Sequence, residues 1–139
     1  MSKSRTIAFV CLHGSAKSLI AAEHCRRRAA LSGLALDATT SGPEPDPEIP
    51  GHVVEGLRAD GIDVGGKRPE RVSKEGLASA AYVVSFGLDL AAIAPRGVPI
   101  ERWDDCPAVS DDYAIARDFI VARVESLLSR LQAPPAAAR

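Results

Sequence analysis

Thr6-Ile7-Ala8-Phe9-Val10-Cys11-Leu12-His13-Gly14-Ser15-Ala16-Lys17-Ser18 is the stretch on which the reading of this chain turns. Ile7 to Cys11 is a continuous apolar run, so Thr6 to Cys11 reads as a buried strand. Ser18 to Ser32 has helical periodicity, with Leu19, Ala22, Cys25 and Ala29 on one stripe and Gly33 to close it. A strand that ends in a thiol, a short loop and a helix N-terminus together make an anion cradle. Consecutive backbone N–H groups converge in the loop, the helix dipole adds positive potential, and the thiolate is favoured over the thiol. Lys17 closes the ring with a positive charge, Ser18 offers a hydroxyl to the thiolate, and Gly14 gives the loop backbone freedom.

Outward from this loop, strands and helices alternate. Leu36 to Ser41 reads as a second strand, and Gly42 to Pro50 as a proline-rich connection that shapes the rim of the cradle. Ile49 to Ala59 is amphipathic, Asp60-Gly61 and Gly65-Gly66 mark turns, and Ser73 caps a short helix running to Ala80. Tyr82 to Phe86 and Val98 to Trp103 supply two more strands. From Asp112 to Leu131, Ile115, Phe119, Ile120, Val124, Leu127, Leu128 and Leu131 recur at helical spacing; Pro134-Pro135 stop the helix and residues 133–139 are expected to fray. The alternation predicts an α/β fold, with residues 1–139 as a single three-layer domain built on a central four-stranded parallel sheet with helices on both faces. Ligands of such sheets bind beyond the carboxyl ends of the strands, where Cys11 and the segment Trp103 to Pro107 both fall.

Composition narrows the function classes. The chain has 139 residues, enough for one sizeable core, and a net charge of -1, which predicts neither a nucleic-acid nor a membrane partner. Arg26-Arg27-Arg28 reads as a solvated helix face. The apolar run behind Met1 to Arg5 is too short for a signal peptide or a membrane span. Cys11, Cys25 and Cys106 form no disulfide framework, so a reducing cytoplasm is the expected compartment, with Cys25 in the core. His13, His24 and His52 do not keep metal-ligand spacing with the cysteines and read as exposed or loop histidines; no metal is expected. The glycines spell no dinucleotide or nucleotide-phosphate loop, and no cofactor is expected.

Phe9 to Ser18, with Ala22-Glu23 soon after, resembles the signature of the low-molecular-weight protein tyrosine phosphatase superfamily, which includes the related arsenate reductases. Those proteins carry cysteine, five residues, arginine and serine near the N-terminus. The resemblance continues through Ser41-Gly42-Pro43-Glu44-Pro45, Gly61-Ile62-Asp63-Val64, the strand Ala80 to Gly87, and Trp103 followed by acids and Pro107. This chain departs from the pattern at named places. Lys17 stands where the family has arginine and Gly14 where asparagine is usual, and Trp103-Asp104-Asp105-Cys106-Pro107 lacks the family's Asp-Pro dipeptide.

The resemblance implies a cysteine-dependent phosphatase. Cys11 would attack the phosphorus of a phosphorylated substrate to give a phosphocysteine, while Leu12, His13, Gly14, Ser15, Ala16 and Lys17 hold the phosphate or arsenate oxyanion. Ser18 would steady the thiolate, and Asp105, or Asp104 in reserve, would protonate the leaving oxygen and then activate water. If Pro107 sets the alignment, Cys106 takes the place of that acid and becomes a redox partner for Cys11. Lysine lacks the planar fork of arginine; a lost charged hydrogen bond of this kind costs about 1.5 to 3 kcal/mol. The rival readings are an arsenate reductase-like thiol enzyme and a non-catalytic cradle that binds an oxyanion or senses oxidation. Ser85 to Leu90 lacks the cysteines that thioredoxin-coupled reductases carry after their third strand. Ala108-Val109-Ser110 replace the aromatic residues that follow the acid in tyrosine-specific members, which leaves the leaving group open.

Overall fold

The computed structural model describes residues 5–132, so the tail 133–139 lies outside the described residues. The elements follow in the order β1 (Arg5–Val10), α1 (Lys17–Leu31), β2 (Leu36–Ser41), α2 (Gly51–Ala59), α3 (Lys74–Ser79), β3 (Tyr82–Ser85), β4 (Ile100–Arg102) and α4 (Tyr113–Gln132). All four strands are parallel, in the order β2-β1-β3-β4. β1 is central: Arg5–Val10 pairs along the whole of β2, and Ile7–Val10 pairs with Tyr82–Ser85. The protein is thus an α/β sheet flanked by helices, as the alternation predicts.

The period of two along β1 divides the core between the faces of the sheet. Ile7 and Phe9 enter a large cluster with Leu19 and Ile20 of α1, Val53 and Leu57 of α2, and Ile120 and Val124 of α4. Ala8 and Val10 enter a smaller one with Leu77, Ala80, Val83 and Leu90. Because β1 is buried on both faces, Cys11 emerges from the middle of the sheet already enclosed by packing.

α1 is buried around most of its circumference between the sheet and α4, and Ala21, Ala22 and Ala29 let its neighbours approach closely. Cys25 is fully buried in that layer, and burial pushes its thiol up to about 11. The arginine triplet is less bland than the sequence suggests. Arg26 donates to Glu23, to Asp37 and to the Ala38 carbonyl, fastening α1 to β2, and Arg28 pairs with Glu125 of α4. On α4 the core face is Ala116, Ile120, Val124, Leu127 and Leu128. Ile115 is 57% exposed, because the helix is rotated to set the small Ala116 inward in its place.

Trp103 anchors the chain where it leaves β4. It is buried, meets Phe86 edge-on at 5.4 Å, and donates its indole N–H to Glu101 Oε2 at 2.6 Å. Among the described residues no helix is long and apolar enough to cross a membrane.

Candidate active site

Cys11 sits just past the end of β1, and its amide donates to the Ser41 carbonyl at 3.2 Å, which extends the β1–β2 pairing by one residue to Cys11 itself. Leu12 to Ala16 then bend back, and α1 begins at Lys17. Gly14 makes the bend possible. Its φ is +60°, and a Cβ there would lie 2.8 Å from the Ser41 carbonyl carbon, so both conformation and space require glycine.

The thiol is held from the start of α1. Ser18 Oγ lies 3.0 Å from Cys11 Sγ and the Ser18 amide points at the same sulfur from 3.4 Å. Ser18 Oγ also meets Thr40 Oγ1 at 2.6 Å, and Thr40 donates to the Gly14 carbonyl at 3.3 Å. A chain of hydroxyls therefore ties sulfur, helix, second strand and loop together.

The connection after β2 braces the loop from outside. Glu44 N donates to the Leu12 carbonyl at 2.9 Å, Asp46 N to the His13 carbonyl at 3.3 Å, and His13 Nδ1 to the Glu44 carbonyl at 2.8 Å. Ser15 Oγ donates to Asp46 Oδ2 at 2.6 Å. The carbonyls of Leu12, His13 and Gly14 are thereby all engaged by β2 or the connection that follows it.

A cavity of about 340 Å³ opens over this loop. Cys11, Leu12, His13, Ser15, Ala16 and Lys17 line its base; Asp46, Pro50 and His52 form one wall, and Phe86, Ala108, Val109 and Ser110 another. Six sequence-predicted residues thus meet in one place. Gly14 supports them from behind, turned toward Ser41 and Gly42.

The acid-loop residues sit elsewhere. Asp105 pairs with Arg123 at 2.7 Å and its side chain is 66% exposed. Asp104 accepts from the Gly87 amide at 3.1 Å and pairs with Arg102 at 3.0 Å. Neither lines the cavity. Cys106 is buried with its thiol 3.5 Å from the Pro107 carbonyl. Burial pushes that thiol up to about 11 against the pull of Lys17, whose charge acts on it across the site. All three cysteines are free thiols.

Residues 6–97 match the family model of the low molecular weight phosphotyrosine protein phosphatases. The chain belongs to that family. No curated protein matches it. Solved structures of the family's fold do: YfkJ from Bacillus subtilis is 23% identical, with a TM-score of 0.82 over 94% of this chain and 96% of that one. The low molecular weight protein tyrosine phosphatase of T. tengcongensis is 18% identical, with a TM-score of 0.82 over 91% of this chain and 99% of that one. A thioredoxin-dependent arsenate reductase from Corynebacterium glutamicum is 21% identical, with a TM-score of 0.78 over 94% of this chain and 63% of that one. At these identities the likeness is one of fold.

Within the family frame, the structure adds residues that the sequence pattern does not single out. Asp46 is the carboxylate among the residues lining the cavity, and the signal for it was its place in the proline-rich connection beside the rim. His24 is not an exposed histidine: it is buried in α1 with Nε2 3.3 Å from Asp60 Oδ2. His24 and Asp60 lie far apart in sequence, and only the folded chain brings them together. They line a larger cleft of about 630 Å³ between α1 and α4, which contains none of the cradle residues. Among the described residues no cluster of His, Cys, Asp and Glu has the arrangement of a metal site.

Proposed function

We propose that the protein hydrolyses phosphate esters or amides by transferring the phosphoryl group to Cys11. The observation that carries this reading is the position of Cys11 Sγ, held 3.0 Å from Ser18 Oγ at the base of a cavity whose floor is the Leu12 to Lys17 loop. Cys11 attacks phosphorus in line. The loop amides and Lys17 take the charge of the equatorial oxygens, and Ser18 steadies the sulfur as it enters and leaves. Water then cleaves the phosphocysteine. Asp105 reaches a leaving oxygen only by giving up Arg123, so a substrate that needs an acid from the chain is turned over slowly.

A disulfide relay of the arsenate-reductase type is less well supported. The stretch Ser85 to Leu90 holds no cysteine, and the Cys106 thiol, pushed up to about 11, is a poor attacking group at neutral pH. The test is hydrolysis of para-nitrophenyl phosphate by the wild type and by Cys11→Ser, with acid-quenched samples mapped for phosphate on Cys11. Turnover that vanishes in the variant, with phosphate trapped on the wild-type cysteine, is the expected result. Turnover in neither protein would show a cradle that binds without catalysis, and equal turnover in both would remove Cys11 from the reaction.

A further inference from the structure

We propose that His13 is the base that activates water for the second half of the reaction, the cleavage of the phosphocysteine. The inference rests on the reading of Cys11 as the nucleophile and assigns a further catalytic residue to that same site.

Two observations meet at the His13 ring. The first is which of its nitrogens is already committed. Nδ1 lies 2.8 Å from the Glu44 carbonyl oxygen, and a carbonyl only accepts, so Nδ1 carries the proton. In the neutral imidazole the lone pair is then on Nε2, to which no side chain or backbone group is bonded among the described residues. Asp46 Oδ1 stands 3.8 Å from the same Nδ1, where its charge favours the imidazolium that forms when Nε2 takes a proton. Asp46 is itself fixed, since its Oδ2 accepts from Ser15 Oγ at 2.6 Å and its amide donates to the His13 carbonyl. One nitrogen is thus oriented by a carbonyl and a carboxylate while the other is left to work, which is how a histidine is made a general base.

The second observation is what else the cavity offers. Its titratable lining groups are Cys11, His13, Lys17, Asp46 and His52. Lys17 gives its charge to the oxyanion, and Asp46 is engaged by Ser15 and faces His13. His52 is exposed near the start of α2, with no hydrogen bond or ion pair among the described residues to set its ring. Asp105 and Asp104 lie outside the cavity, paired with Arg123 and Arg102. The His13 side chain is 50% exposed, so water reaches the ring at the edge of the cavity whose floor holds the sulfur. The oxygen of that water bonds to phosphorus as the S–P bond breaks, and the S–P electron pair returns to Cys11 as the thiolate. One proton of the water passes to His13 Nε2 and then to solvent, and the other stays on the departing hydrogen phosphate.

The experiment follows para-nitrophenyl phosphate after rapid mixing with the wild type, His13→Asn and Asp105→Asn, with acid-quenched samples mapped for phosphocysteine. The amide of an asparagine side chain stands close to the place of Nδ1, so His13→Asn keeps a donor for the Glu44 carbonyl and lacks Nε2. That variant is expected to release its first equivalent of nitrophenolate at the wild-type rate. It should then turn over at least about tenfold more slowly, with phosphate held on Cys11. A first release and a steady rate that fall together overturn the proposal, since His13 is then a brace of the loop alone. So does a His13→Asn protein that turns over like the wild type, or a phosphocysteine that persists only in Asp105→Asn, which gives the base to the acid loop. If no protein of the three yields a phosphocysteine, the reading of Cys11 falls and this inference with it; a phosphocysteine that His13→Asn breaks down at the wild-type rate sinks this inference alone.

Discussion

Lys17 stands where the resemblance read from the sequence implies an arginine. An arginine at this place grips two oxyanion oxygens with one rigid fork, whereas a lysine offers a mobile point charge. The loop geometry does not forbid the larger head group, because Lys17 faces the cavity rather than the core. Lys17→Arg is therefore expected to raise kcat/KM on phosphate esters by about ten- to a hundredfold, the equivalent of one charged hydrogen bond gained in the transition state. Steady-state kinetics on para-nitrophenyl phosphate checks it, and a fall in kcat/KM with the fold intact would mean that the cradle has adapted to lysine. The cradle was legible in sequence because its residues are consecutive: Cys11 to Ser18 needs only a strand before it and a helix after it. The place of Asp46 on the cavity wall was not, because it depends on a bend between Gly42 and Pro50 that no periodicity encodes.

Between elements, the contact that decides the site is the one between the loop after β1 and the start of the connection after β2. Gly42 is wedged there. A Cβ at Gly42 would collide with the Cys11 carbonyl and lie 2.6 Å from Gly14 N and 2.7 Å from the Leu12 carbonyl oxygen. These are backbone atoms, so the methyl group fits only if the cradle itself moves. Gly42→Ala is expected to destabilise the protein by about 1 to 3 kcal/mol, as overpacking does, and to lower activity more than the stability loss explains. Gly51→Ala is the control, since a Cβ there has open space. Urea midpoints and kcat/KM for both variants test it; a fully active Gly42→Ala would show that the brace is dispensable. The elements themselves were well marked, since strands of period two and helices with clear stripes depend on local pattern. The exceptions are instructive. Ile115 fitted the α4 stripe by spacing yet faces solvent, because the helix docks through Ala116, and the small side chain rather than the large one sets the approach to its neighbours.

At the scale of the whole molecule, one polar cluster joins three helices behind the apolar core. Asp60, at the end of α2, accepts from His24 of α1 and from Tyr113 and Arg117 of α4. Burial lowers the pKa of His24 below the ordinary 6.5 and wins over Asp60, whose hydrogen bond and charge work to raise it; Arg27 and Arg117 add to the lowering. The imidazole is therefore neutral in the folded protein in a range of pH where the unfolded chain already binds a proton there. Where the unfolded state binds more protons, stability rises with pH. The contribution is intact above 6.5 and is lost as pH falls from there through the folded value of His24. Glu101 does not interfere in that window. Although burial works to raise it, hydrogen bonds from Arg130, Trp103 and Tyr82 hold its carboxyl down to about 2, so its contribution is lost only between its ordinary 4.5 and that value. Urea unfolding of the wild type from neutral pH down to about pH 5 should accordingly show falling stability, with a slope no steeper than about 1.4 kcal/mol per pH unit for one proton. His24→Gln removes the titrating ring but keeps a donor for Asp60. That variant is expected to start less stable and to lose less over the same interval, and an unchanged slope in it would assign the acid sensitivity to other groups.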